Sequence, residues 1–171
     1  MLQALLKKMI RRQERTVGVP LRYLDEVAAH SPGLVMKIGL LGPLGEHRRA
    51  LPAEAKHVAT VRAVLAEDCG GCVQIAVNLA LADGVSREVL AAVVNGRLWE
   101  LPPNLEAVCK FVDALQNQET ITESLREQLR VEYGDDGIAE LSLAYALAAF
   151  FPRFKRGLGH AQSCALRPVE V

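Results

Sequence analysis

A chain of 171 residues has the length of one domain, and half of its residues are hydrophobic, which is enough for a core without disulfide staples. Its 20 basic and 20 acidic residues give a formal net charge of zero, which argues against a nucleic-acid-binding protein. No apolar run reaches the roughly 18 residues of a membrane span. Four cysteines without a secretory signal favour a reducing, cytoplasmic compartment.

The first predicted element is an amphipathic helix over residues 1–16. Its apolar side chains recur at helical spacing, and lysines and arginines occupy the remaining positions. We interpret it as a helix that packs on its own domain or on a second subunit. Contact with an anionic membrane and a role as a targeting peptide are the less favoured alternatives. Residues 17–171 are expected to form the rest of a single domain.

Prolines, glycines and capping residues mark the other helix boundaries. A loop is expected over 42–49, and a capping box of Thr120 with Glu123 begins a helix that Gly134 closes. No segment shows the period-two pattern of a strand, so the sequence predicts an all-α fold. The expected helix starts are Pro20, Ser31-Pro32, Pro52, Asp68, Ser86, Pro102-Pro103, Thr120 and Asp135 or Asp136.

Two cysteines flank a pair of glycines at a predicted helix start, in the segment Cys69-Gly70-Gly71-Cys72. Residues three apart on a helix share a face, so these thiols are close enough to form a disulfide. The N–H groups at a helix start stabilise a thiolate, the nucleophilic form of cysteine. The second thiol then resolves a sulfenic acid or a mixed disulfide. The adjacent carboxylates of Glu67 and Asp68 oppose thiolate formation unless one of them accepts a proton.

Two other interpretations of the cysteine pair stay open. A structural zinc site normally needs a second pair of ligands, but Cys109 and Cys164 stand alone and the four histidines are scattered. Alternatively, both cysteines are small buried core residues. A glycine-spaced pair at a helix start is an unusual way to fill a core, so thiol chemistry is the favoured interpretation.

The run from Cys69-x-x-Cys72 to Asp83-Gly84-Val85-Ser86-Arg87-Glu88 resembles the core motif of alkylhydroperoxidase D-like proteins, of the carboxymuconolactone decarboxylase-like family. A weaker resemblance extends from about Val17 to Gly159. It implies an all-helical bundle that assembles into dimers, trimers or hexamers. Redox-active members use the cysteine pair to reduce peroxides or exchange disulfides, whereas decarboxylase members act on a lactone acid and generally lack the pair.

The resemblance also implies roles for single residues. It makes Cys72 the peroxide-attacking thiol and Cys69 the resolving thiol. The family's histidine, four residues after the second cysteine, is replaced here by Ala76, and its glutamate, twelve residues before the first, by His57. His57 is then the expected proton acceptor, unless it is simply a half-buried histidine bonded to backbone. Glu67 is a second candidate because it is adjacent.

Together these features predict a thiol oxidoreductase with a non-standard proton relay. Its substrate would be a peroxide or a disulfide, and a thiol protein would be its reductant. No dinucleotide or P-loop pattern is present, so no cofactor is expected, and neither is a metal. The alternative is a non-catalytic oligomeric or redox-sensing member of the same family. A homo-oligomer is expected because zero net charge weakens the repulsion between copies.

Overall fold

The computed structural model describes residues 2–160 and 169–171, and its elements within those ranges are helical. There is no strand in this part of the chain, so the predicted all-α class is confirmed. Cys164 lies outside the described residues. The elements are α1 (Leu2–Val17), α2 (Arg22–His30), α3 (Pro32–Ile38), α4 (Leu41–Glu46), α5 (Ala53–Ala66), α6 (Gly70–Ala82), α7 (Arg87–Val94), the 3-10 helix η1 (Leu98–Glu100), α8 (Pro103–Gln116) and α9 (Glu123–Gly157).

The predicted loop over 42–49 is wrong, because α4 (Leu41–Glu46) occupies most of it. Pro43 was expected to stop a helix, but it lies in the first turn of α4, where the missing N–H group has no partner to lose. The connection to α5 is therefore only residues 47–52.

Side-chain caps are present at some of the predicted helix starts and absent at others. Ser86 accepts a hydrogen bond from the Val89 backbone N–H, as expected for the cap of α7. Ser31 precedes α3 without such a bond. The cap of α9 is Thr122 rather than Thr120, and its hydroxyl accepts from the Leu125 N–H. The residue types marked the region of each boundary, and the local backbone decides which hydroxyl reaches an N–H group.

The last helix, α9, is bent at Gly134. This residue has φ 71° and ψ 177°, a conformation that side-chain-bearing residues avoid, so the segments before and after it point in different directions. The sequence predicted this break, with one helix ending near Tyr133 and another beginning just after the glycine. A Cβ atom at Gly137 would collide with the Cβ of Tyr133, so this position is also restricted to glycine.

Two groups of buried side chains form the core. The larger one surrounds α5, which packs against α6, α7, α8 and α9. The smaller one joins α1, α2 and α3 to Phe151 and Phe154 of α9, and α1 contributes Leu6, Ile10 and Val17 to it. Within the described ranges, no helix has both the length and the apolar character needed to cross a bilayer.

A buried carboxylate holds the segment that leads into α5. Glu140 of α9 accepts hydrogen bonds from the backbone N–H groups of Arg49, Ala50 and Leu51, at 2.8 to 3.3 Å. Desolvation raises the pKa of Glu140, but these three N–H donors and nearby His47 outweigh it and hold the pKa below its ordinary value. The negative charge therefore stabilises a segment that has no secondary structure of its own.

Replacing this carboxylate tests its contribution to stability. We expect Glu140→Gln to lower the free energy of unfolding by about 2 kcal/mol at neutral pH, measured by urea denaturation, because hydrogen bonds to a charged acceptor are lost. A lowered folded-state pKa contributes stability above the ordinary pKa of 4.5, and this contribution is lost as the pH falls through the folded value. The difference in the free energy of unfolding between wild type and variant should therefore become smaller as the pH falls below 4.5.

The matched control is Glu132→Gln, an exposed glutamate on the same helix. It should change the free energy of unfolding by less than about 0.5 kcal/mol, both at neutral pH and at acidic pH. Equal effects of the two substitutions would show that Glu140 contributes no more than a surface charge.

Candidate functional site

The two cysteines lie at a tight turn between α5 and α6. The turn spans Glu67, Asp68 and Cys69, and Asp68 adopts a left-handed conformation with φ 51°, which aspartate tolerates better than most residues. Cys69 is therefore the residue that caps α6, and the prediction of Asp68 as the cap is wrong. Cys72 follows in the first turn of the helix, and the sulfur atoms of the two cysteines are 2.6 Å apart.

Both thiols are nearly inaccessible to solvent. The exposed fractions of Cys69 and Cys72 are 3% and 7%, and both side chains belong to the larger core group. Among the residues that the structure describes, no three His, Cys, Asp or Glu side chains are arranged to hold a metal ion.

Among the described residues, the ammonium of Lys155, in the last turns of α9, contacts both sulfur atoms. Its Nζ lies 3.7 Å from the Sγ of Cys69 and 3.7 Å from the Sγ of Cys72, and it also lies 5.7 Å from the centre of the Tyr23 ring. A Cβ atom at Gly71 would lie 4.0 Å from the same nitrogen, an ordinary van der Waals contact, so the lysine packs directly over the first turn of α6. A positive charge at this distance stabilises a thiolate on either cysteine.

Tyr23 of α2 forms another wall of the site. Burial raises the pKa of its phenol well above the ordinary value, and the two nearby cysteines raise it further. The ring therefore stays neutral, and packs edge-on against Phe154 with ring centres 6.4 Å apart. An apolar, uncharged wall of this kind keeps water away from the sulfur atoms and strengthens their interaction with Lys155.

The carboxylate of Glu67, expected to oppose thiolate formation, has its own counterion. Its side chain is only 4% exposed, and one oxygen accepts two hydrogen bonds from the Arg153 guanidinium, at 2.6 and 2.9 Å. Arg156 adds a hydrogen bond to the Glu67 backbone carbonyl at 2.6 Å and an ion pair at 3.7 Å. The negative charge is thus compensated, and the structure assigns Glu67 to holding α9 against the turn.

His57 lies away from the thiols. Its Nε2 is 3.0 Å from the Oδ2 of Asp83, which follows the last residue of α6, whereas Cys72 lies in the first turn. At 1.5 Å per residue, roughly 16 Å of helix separate Cys72 from Asp83. Burial lowers the pKa of His57, and the bond to Asp83 only partly offsets this. The expected placement of His57 as the proton acceptor beside Cys72 is therefore wrong.

Two further positions on α6 complete the surroundings of the pair. Ala76, one turn after Cys72, is buried and has no group that exchanges protons. Gln74 exchanges two hydrogen bonds with the backbone of Glu170, at 2.9 and 3.0 Å, and donates another to Asn78. Its amide therefore holds the 169–171 segment on α6. Neither Ala76 nor Gln74 places a basic group beside the thiols, whereas Lys155 of α9 does.

Sequence reasoning missed Lys155 for a physical reason. It is 83 residues from Cys72 along the chain, and a basic residue in the last turn of a helix is ordinary because it complements the helix dipole. Only the packing of α9 on the α5–α6 turn brings it to the sulfur atoms. No protein-family model matches this chain, and no curated protein matches it either.

The role of Lys155 is tested by removing its charge. We expect Lys155→Met to slow alkylation of the cysteine pair by iodoacetamide about tenfold at neutral pH and to move the rate profile to higher pH, because the thiolate loses its counterion. Labelling is followed by mass spectrometry across pH. Lys155→Arg, which keeps the charge, should retain more of the rate.

Two controls separate this effect from general damage to the fold. His57→Ala should leave the alkylation rates unchanged, since the imidazole lies at the far end of α6. Lys110→Met, at an exposed lysine of α8, should do the same. An unchanged pH profile in Lys155→Met, or a slowed reaction in His57→Ala, would contradict the assignment.

Proposed function

We propose that this protein is a thiol oxidoreductase that cycles Cys69 and Cys72 between the dithiol and the disulfide. The observation that carries the proposal is the three-atom group formed by two sulfur atoms in contact and one ammonium 3.7 Å from each. A buried pair that served only to fill the core would need no cation beside it.

The chemistry balances with a disulfide or a peroxide as the oxidant. A thiolate attacks a substrate disulfide, which forms a mixed disulfide and releases one thiol. The second cysteine then attacks the mixed disulfide, which forms the Cys69–Cys72 bond and releases the second thiol. With a peroxide, the first step gives a sulfenic acid and an alcohol or water, and the second releases water. A dithiol reductant, such as a thiol protein, returns the pair to its starting state.

We assign the first attack to Cys72 and the resolving role to Cys69. The ammonium is equidistant from both sulfur atoms, so its field does not select between them. Cys72 is the more exposed of the two, at 7% against 3%, and lies further from Asp68 along the chain. Both features favour its meeting the oxidant first, and the family resemblance assigns the roles in the same order.

We also propose a protein family, an oligomeric state and a cellular compartment for this chain. We place the chain among alkylhydroperoxidase D-like proteins, on the strength of the cysteine motif at the start of α6 and the all-helical architecture. Lys155 would then substitute for the histidine that Ala76 replaces. A homo-oligomer in a reducing, cytoplasmic compartment fits this assignment, since cysteine side chains stay reduced there.

One observation favours a second candidate function. Both thiols are more than nine-tenths buried, so an oxidant reaches them only when the surrounding side chains move. A pair that reacts once and changes the contacts of Lys155 would be a redox sensor within a non-catalytic oligomeric protein. Turnover distinguishes the two: an enzyme consumes many equivalents of oxidant, and a sensor consumes one.

The disulfide itself is the direct test of the proposal. Treatment with diamide or hydrogen peroxide should remove two hydrogen atoms from the tryptic peptide 63–87, which contains both cysteines and no internal cleavage site. Dithiothreitol should restore the mass. With excess dithiol present, the wild type should consume oxidant repeatedly.

Single substitutions then separate the two thiols. Cys69→Ser should still form a sulfenic acid or mixed disulfide at Cys72 but should lose turnover, while Cys72→Ser should lose both. Cys109→Ser, at a fully buried cysteine whose pKa burial raises to about 12, serves as the control and should retain full activity. A peptide that stays reduced in the folded wild type would refute the proposal, and oxidation without turnover would favour the sensor.

A further inference from the structure

The charge of this chain is distributed very unevenly. Helix α1 carries five of the 20 basic residues and one of the 20 acidic residues, so its net charge is +4. The remaining chain holds 15 basic and 19 acidic residues, a net charge of −4. A neutral protein therefore presents one strongly positive helix, and the field of that helix attracts polyanions and anionic surfaces.

One face of α1 is covered and the other is open. Leu6, Ile10 and Val17 are buried against α2 and α3. Leu5 and Met9, one turn apart, are 56% and 55% exposed. The exposed apolar side chains thus form a short stripe on the side away from the core.

Exposed basic residues accompany this stripe. Lys8 lies three residues after Leu5, Arg12 lies three residues after Met9, and Arg15 follows one turn later. In the described part of the chain, these three side chains form no ion pair, in contrast to Arg11, which is bonded to Glu14 and Asp25. Long basic side chains of this kind extend their charges to the lipid headgroups while an apolar stripe enters the interface.

We propose that the open face of α1, formed by Leu5, Lys8, Met9, Arg12 and Arg15, docks the protein on an anionic lipid surface. Charge complementarity selects this occupant. In a symmetric dimer formed through the same face, two helices of net charge +4 would oppose each other. A lipid surface supplies both the negative charge and the apolar layer that the stripe requires.

A groove at the C-terminal end of α1 also supports docking on an anionic lipid surface. It is lined by Arg11, Arg15 and Arg22, together with Glu14, which is already bonded to Arg11. In the described part of the chain, Arg15 and Arg22 form no ion pair within 4.0 Å, so a phosphate group in this groove would meet both guanidiniums. Arginine is well suited to phosphate because its planar donors bind two oxygens at once.

The test is co-sedimentation of the full chain with large vesicles. Vesicles containing one third phosphatidylglycerol should bind the protein, vesicles of phosphatidylcholine alone should not, and added salt should weaken binding. Lys8→Glu with Arg12→Glu should reduce binding more than tenfold, since each basic residue near the surface contributes about fivefold. Lys110→Glu with Arg126→Glu makes the same change in net charge on other helices and should reduce binding much less.

The apolar stripe is tested separately. Leu5→Ser with Met9→Ser should weaken vesicle binding several-fold, whereas Trp99→Ser with Val131→Ser, at two other exposed apolar residues, should not. Circular dichroism checks that each variant is folded. Failure to bind anionic vesicles, or equal losses in the α1 variants and their controls, would overturn the proposal. So would conversion of a dimer to a monomer by the Leu5 and Met9 substitutions without vesicles, which would assign the face to a second copy.

Discussion

The packing of the last turns of α9 against the α5–α6 turn is the constraint on which the site depends. Two contacts of basic side chains meet there: Arg153 pairs with the buried carboxylate of Glu67, and Lys155 contacts the two sulfur atoms. The lysine ammonium lies 3.7 Å from each sulfur atom, so its charge acts on both thiols. Removing α9 from the turn would take Arg153 from the buried acid and Lys155 from the two thiols, which is unfavourable for the fold and would weaken the proposed chemistry.

Burial has opposite consequences for reactivity and for access. In a dry surrounding the ammonium and a thiolate attract each other more strongly than in water, so the neutral ring of Tyr23 strengthens the effect of Lys155. The same packing keeps an oxidant out, because the thiols are almost fully covered. Reaction therefore requires local opening, and small oxidants need the least opening. The rate of oxidation should thus depend on the stability of the α9 and α2 contacts as well as on the thiols.

Much of the fold could be read from the sequence. Helical spacing predicted the all-α class, the break at Gly134 and the cysteine pair at the start of α6, because each depends on local backbone chemistry. The placement of His57 failed for a different reason. The prediction matched His57 to the position of the family's glutamate, twelve residues before the first cysteine. In the structure, Asp83 holds the imidazole at the other end of α6. Lys155 was missed because its contact is set by tertiary packing, which local patterns do not encode.

The redox equilibrium of the pair is the most direct test of this account. The fraction of disulfide is measured by thiol trapping in dithiothreitol buffers of graded potential, for wild type and Lys155→Met. A cation that stabilises the thiolate favours the reduced form and makes the disulfide more oxidising. We expect one two-electron transition, with a midpoint about 30 mV lower in the variant for each tenfold loss of thiolate stabilisation. The absence of a transition, or the same midpoint in both proteins, would contradict it.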